Sequence, residues 1–398
     1  MRTKILILGA GVAGPTVAFW LARYGFEPTL VERAPTLRSG GYVIDFWGAA
    51  FDLAQQMGIL GELEQDGYHV QELRIVDDAG NTVGGFDASV FERLTGGRYL
   101  TVARSRLSRA LYEHVHAGCE RLFGKTIRTL TEDADGVDVQ FDDGIERRFD
   151  LVVGADGQHS RVRELVFGPE SQFEKYLGYN VAAFEVAGYP ERVEDTYVMH
   201  TQRGQQIARF SLRGDRTLFL FVWRAPDAPL PRTLEEQRAL IRERFGDGTW
   251  ESEEILASML DANEMYMDRV SQIRMPSWAH GRVALAGDAA HCVSLLAGQG
   301  SALAMISGTV LAGELLLAHG DHQVAFERYQ TRLSQFMHDK QRAAESFGGA
   351  FAPKTSLGLF FRNQASKLLR MPLVADLALT RGLRDTIELP DYRAALAH

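Results

Sequence analysis

Sulfur is scarce in this chain: its 398 residues include two cysteines, Cys119 and Cys292. Two thiols make no disulfide framework, and their spacing fits no zinc pattern. No group of His, Cys and carboxylate residues stands at metal-ligand spacing, so no metal is expected. Long apolar runs are also few. "ILIL" at 5–8 is too short for a signal-peptide core or a membrane span. The most apolar stretch, 303–317, is interrupted by Ser307, Gly308, Thr309 and Glu314. That pattern marks a buried core helix, with no stable membrane insertion. Internal repeats and low-complexity tracts are missing. Excess positive charge is missing too: the net charge of −9 gives no global attraction to nucleic acid or an anionic membrane. These absences point to a reducing cytoplasm and to a monomer or homodimer that binds no nucleic acid.

What is present is an ordinary globular balance, 45% hydrophobic and 24% charged. The length allows two or three domains of roughly 150 residues. The opening reads strand, turn, helix, strand: "KILIL", "GAGVAG" at 9–14, a helix from Pro15 to Arg23, then "PTLVER" at 28–33. Two further apolar strands end in glycine, within "FDLVVGADGQHSRVR" (149–163) and "RVALAGDAAHCVSLLAGQG" (282–300). Between them, 175–272 alternates apolar and polar residues, as an antiparallel sheet does, with a helix expected at 233–245. After 300 the pattern is helical, first over 299–318 and 322–346. The fold expected is α/β. A discontinuous Rossmann-like domain (1–174 plus 273–346) carries an inserted sheet (175–272), and a helical tail follows (347–398).

"GAGVAG" is G-x-G-x-x-G between a strand and a helix, the context in which that motif binds a dinucleotide. Gly9 permits the tight turn, Gly11 the approach of a pyrophosphate, and Gly14 close helix–strand packing. The helix N-terminus offers unpaired N–H groups and partial positive charge to the phosphates. Glu32, at the end of the second strand, can accept hydrogen bonds from a ribose. Arg33 beside it is expected to stack on an adenine. This loop alone leaves nicotinamide and flavin cofactors both open.

"GAGVAG", "GADGQHSRVR" and "GDAAHCVSLLAGQG", in this order and spacing, resemble the three fingerprints of the class A flavoprotein monooxygenases. That family includes para-hydroxybenzoate hydroxylase and, closest in pattern, the tetracycline-inactivating monooxygenases. The resemblance covers nearly the whole chain and implies FAD, in an FAD-binding domain of the GR2/hydroxylase type. Gly9, Gly11, Ala13 and Gly14 would hold the pyrophosphate. Gly287 and Asp288 would meet the ribityl chain. Ala297, Gly298, Gln299 and Gly300 would start a helix facing the pyrimidine edge of the ring. Asp156 and Gly157 would lie near the pyrophosphate, with Ser160 and Arg163 either sharing that role or serving as cap and ion pair. Arg104, in "ARSRLSRAL", would reach the FAD. Arg38 and Asp45, in "RSGGYVID", would sit near nicotinamide and flavin. Leu295 and Ala302 depart from the Pro and Asn of many relatives beside the ring.

The resemblance implies reduction of FAD by NADH or NADPH. Oxygen transfer to a small aromatic or polyketide-like substrate would then run through a flavin 4a-hydroperoxide. Baeyer–Villiger oxidation stays open, as do a double-bond reductase and a non-catalytic flavin protein. No lysine lies between Lys4 and Lys125, which argues against the related halogenases. His200, on a strand of the insert, is a candidate to activate a phenol, while His291 is expected to be structural. Phe210, Phe219, Phe221 and Trp223 are candidate pocket residues, although half of an alternating set must face away. The tail mixes Lys354, Arg362 and Lys367 with Phe360, Phe361, Leu368 and Leu369. That pattern suits a membrane-surface helix. The expectation taken here is instead a tail that packs across both domains.

Overall fold

A computed structural model describes residues 2–37, 42–87, 90, 93, 95–115, 118–295, 298–351, 353–368 and 387–397. Arg38 and Ala297 lie outside the described residues. The strand Lys4–Leu8 is almost wholly buried after Lys4, as a strand covered on both faces requires. It lies inside a six-stranded sheet ordered Ala279–His280, Val283–Leu285, Leu151–Gly154, Lys4–Leu8, Glu27–Glu32, Glu120–Phe123. Its pairings are parallel except that of the short edge strand Ala279–His280. Parallel pairing brings the C-terminal ends of the three glycine-ended strands to one rim. There Gly9 donates to the Val31 carbonyl, Ala155 to Leu8 and Ala286 to Gly154.

The expected core helix is Gly300–Leu317, and its middle is buried all round. It crosses the first helix, Ala13–Arg23, closely. A Cβ on Gly308 would lie 3.1 Å from the Ala13 carbonyl oxygen. Trp20 Nε1 donates to Thr309 Oγ1 at 3.0 Å.

The second sheet has seven strands, ordered Tyr266–Ile273, Glu174–Ala187, Arg216–Arg224, Gln205–Leu212, Thr196–Gln202, Glu72–Val76, Thr82–Asp87. The first five match the expected insert. The last two do not: 72–87 was assigned to the first domain. Glu72–Val76 pairs in parallel with Thr196–Gln202, more than a hundred residues away, and local alternation carries no trace of such pairing. The outer face of this sheet buries Phe184, Phe219, Phe221 and Trp223 against the helices Leu234–Phe245 and Ser252–Ser258. The first of these helices starts on a capping box between Thr233 and Glu236. The inner face, with Ala183, Phe210, Leu212 and Leu218, meets Tyr42, Val43 and Tyr68.

The tail packs on both halves, as expected. After the long helix His322–Phe351, the helix Ser356–Leu368 lies against the seven-stranded sheet. Gly85 donates its N–H to Ser366 Oγ, and Arg362 donates to Thr201 Oγ1. Residues 387–397 return to the core helix, where Tyr392 donates its hydroxyl to the buried Glu314.

Candidate functional site

Two glycine-rich turns lie about 275 residues apart in sequence and touch in space. Gly9, at φ +102°, has the Ala155 carbonyl oxygen 2.4 Å from where a Cβ would stand. At Gly14 a Cβ would lie 1.8 Å from the Gly9 carbonyl oxygen. Both positions exclude a side chain from within the fold. Gly11 does not: among the described residues a Cβ there would meet only Arg104 Nη2, at an ordinary 3.6 Å. Ala13 closes the contact with the second turn, its Cβ lying 2.9 Å from the Cβ position of Gly287, itself at φ +62°.

Glu32 ties its own strand to the first turn. One carboxylate oxygen accepts from Ala10 N–H at 2.8 Å and the other from Ala34 N–H at 2.9 Å. Arg33 next to it is exposed. Arg104 starts the helix Arg104–Glu113 and is fixed there by its N–H bond to the Tyr42 carbonyl. Half-buried Arg104 has its Nη2 3.6 Å from the Cβ position of Gly11, its charge favours the ionised form of Asp288, and it forms no ion pair among the described residues. Asp288 stands within 3.9 Å of the Cβ position of Gly300. Burial pushes its carboxyl above the usual carboxylate range, and Arg104 and the Cys292 thiol pull it back. Gly298 is at φ +66°, and beyond its chain neighbours no atom of the described residues lies within 4 Å of its Cβ position. Gln299 precedes the core helix without capping it by its side chain, and the first helix also starts without a side-chain cap. Neither helix start therefore has its first-turn N–H groups satisfied by a side-chain cap. Within the second turn, between Gly287 and Gly298, buried Ser294 holds φ +104°, a strained backbone of the kind that clusters at functional sites.

The middle motif is an internal brace. Asp156 accepts from Ser160 Oγ at 2.5 Å and from the N–H groups of Arg161 and Val162. Ser160 caps the helix Arg161–Val166 through the Arg163 N–H. Arg163 is fully buried and donates to the carbonyls of Ala289 and Gln158 and to Glu170. Cap and ion pair are thus the roles seen for Ser160 and Arg163. Asp156 still borders the first turn, its Cα 2.8 Å from the Cβ position of Gly9, and Gly157 follows at φ +84°.

Asp45 lies on the strand Val43–Trp47, on the side facing the seven-stranded sheet. Its carboxylate accepts from Tyr99 Oη at 2.7 Å and Thr101 Oγ1 at 2.6 Å, and the Tyr197 hydroxyl, from across the sheet boundary, also favours its ionised form. Burial raises its pKa against these three hydroxyls. The sheet around it is aromatic. Tyr42 packs on Tyr266 at 5.8 Å between ring centroids, and Tyr197 stacks on Phe210 at 4.5 Å. Leu295 joins this layer from the second turn by packing against Tyr179, Val181, Val222 and Val270. Ala302 is buried in the core helix.

His200 does not belong to this site. It is three residues from Tyr197, so strand alternation sends it to the outer face. There it is buried beside Trp250 and bonded to Asp78 Oδ1 at 2.9 Å. Of the four aromatic candidates only Phe210 faces inward; Phe219, Phe221 and Trp223 fill the outer layer. His291 is structural, as expected. It is buried against Trp278, shares a hydrogen bond with Ser307 Oγ, and burial pushes its pKa down to about 4. Tyr42, Tyr197 and Tyr266 were not found from the sequence. Tyr42 stands inside the "RSGGYVID" segment and was within reach; nothing local distinguishes the other two.

Comparison with known proteins fits this geometry. The family described as FAD binding domain matches residues 2–339. The chain is 31% identical over 403 aligned positions to a flavin-dependent monooxygenase of Legionella longbeachae, covering 98% of this chain and 99% of that one. It is also 31% identical to FAD-dependent monooxygenase asL6 of Sarocladium schorii, covering 98% of each chain. The crystal structure of tetracycline destructase Tet(51) matches with a TM-score of 0.83 at 32% identity, covering 98% of this chain and 100% of that one.

Proposed function

Since this chain belongs to the FAD binding domain family and is an FAD-dependent monooxygenase, we propose that its two glycine turns hold one FAD and that its substrate is an electron-rich aromatic or polyketide-like molecule. The observation that carries the reading is the line from Gly11 through Arg104 to Asp288 and Gly300. The residues present fit the cofactor. Gly11 is a glycine the fold itself does not demand, which leaves a ligand's close approach as its reason. Two uncapped helix starts offer N–H groups to a pyrophosphate and to the electron-rich edge of a flavin. Between them, Arg104 would meet phosphate or ring oxygens and Asp288 a ribityl hydroxyl. Glu32 retains lone pairs for a ribose beyond its two backbone bonds, and exposed Arg33 would stand at the adenine end.

Bound FAD, reduced by NADH or NADPH, supplies the activated oxygen drawn from O₂. The protein's part is positioning and exclusion of water. Tyr42, Tyr266, Leu220 and Leu295 present a largely apolar layer on the sheet side, backed by buried Phe210. An aromatic substrate gains most from such a surface, by area and by ring stacking. Asp45, held by Tyr99, Thr101 and Tyr197, is the polar group beside that layer. A Baeyer–Villiger course would use the same cofactor-holding residues but requires a ketone carbonyl in the substrate, beside which the oxygen atom is inserted.

A panel assay tests this reading. Oxidation of NADH and of NADPH is followed with phenols, tetracyclines and small aromatic acids, and products are weighed by mass spectrometry. Slow background oxidation, stimulated by one substrate class and yielding a product heavier by one oxygen atom, is the expected result. Equal oxidation with every compound, and no oxygenated product, would refute the aromatic assignment.

A further inference from the structure

The tail helix Ser356–Leu368 has one face fastened and, among the described residues, one face bare. Gly85 and Thr201 hold its inner side through Ser366 and Arg362, and the Pro353 carbonyl just before it accepts from Gly204. Its outer side carries Leu357, Phe360, Phe361 and Leu368, exposed by 65%, 55%, 61% and 52%. These are four of the seven large apolar side chains strongly exposed among the described residues, gathered on 13 residues. Their spacing of three and four places them on a single stripe. An apolar stripe of this kind marks an interaction surface.

The charge around the stripe selects the occupant. Residues 353–368 contain no Asp or Glu, in a chain that has 52 of them. Lys354 precedes the stripe, and Lys367 stands on it seven residues after Phe360, both exposed. A second copy of the chain is a poor fit. A two-fold interface places the same patch against itself, so these lysines would face lysines with no carboxylate from 353–368 to pair them. An anionic lipid surface answers both features. Apolar side chains enter the headgroup boundary, and lysines meet the negative charge.

We propose that this helix docks the folded enzyme onto anionic lipid bilayers, lying on the surface without crossing it. The proposal is independent of the substrate assignment. In the test, full-length protein with its FAD is sedimented with vesicles of phosphatidylcholine alone and of phosphatidylcholine with phosphatidylglycerol. We expect binding to the anionic vesicles only, weakened at high salt. Replacing both lysines (Lys354→Gln and Lys367→Gln) should lower the partition coefficient about fivefold per lysine. Replacing both phenylalanines (Phe360→Ser and Phe361→Ser) should abolish binding while the yellow colour and elution volume stay unchanged. Absence of binding to either vesicle would overturn the proposal. Equal binding to both would remove its electrostatic basis, and a wild-type dimer that the Phe variants dissociate would reassign the face to self-association.

Discussion

Gly11 and Gly14 sit three residues apart and answer to different demands. Gly14 is required by the fold, since a Cβ would overlap the Gly9 carbonyl oxygen at 1.8 Å; Gly11 is not, the only neighbour of its Cβ position among the described residues being Arg104 Nη2 at 3.6 Å. We therefore expect Gly11→Val to give a folded, colourless protein, with unchanged circular dichroism and no bound FAD. Gly14→Ala should instead lower the melting temperature itself. Full FAD content in the Gly11 variant would move the pyrophosphate elsewhere. Asp288→Ala removes one carboxylate hydrogen bond, worth about 1.5–3 kcal/mol, so the FAD dissociation constant should rise roughly 10- to 150-fold. An unchanged constant would leave Asp288 with a purely structural task. The motif residues were legible because glycine and aspartate in fixed order are rare by chance. His200 misled because residue type gives no face: one step of register moves a side chain from pocket to outer layer.

Elements in this chain are locked by buried polar groups, and these give the stability predictions. Arg163 joins the helix Arg161–Val166 to Ala289 beside the second turn, and to Glu170. Arg163→Met leaves those acceptors unmatched and should cost about 3–5 kcal/mol by chemical denaturation; a loss below one would show that the brace is not needed. His291 links the second turn to the core helix through Ser307. Its folded pKa is about 4 against an ordinary 6.5, so the unfolded chain takes the proton first. Stability is full above the higher value and falls as pH drops toward the lower one. Between pH 7 and pH 5 the wild type should lose about 2 kcal/mol more than His291→Gln. Equal losses would mean that the imidazole titrates freely. Strands and helices with clear periods, such as Lys4–Leu8, Leu234–Phe245 and Gly300–Leu317, were readable in the sequence. The strands of 72–87 were not assigned to their sheet, because their partner is chosen by long-range pairing.

At the scale of the whole molecule, the chain builds one continuous wall from distant segments. The parallel sheet brings both glycine turns to one rim. The seven-stranded sheet sets its aromatic inner face against them, and the tail crosses both halves. Interruption of the first domain by a sheet was legible as a change from mixed to alternating pattern near 175. The substrate was not, because sheet residues show their type in sequence and their direction only in space. The most direct measurement uses the substrate found by the panel assay and ¹⁸O₂. We expect one labelled oxygen atom per product molecule, with consumption of NADH or NADPH and no turnover without O₂. Oxygen derived from water, or turnover under strict anaerobiosis, would contradict a monooxygenase.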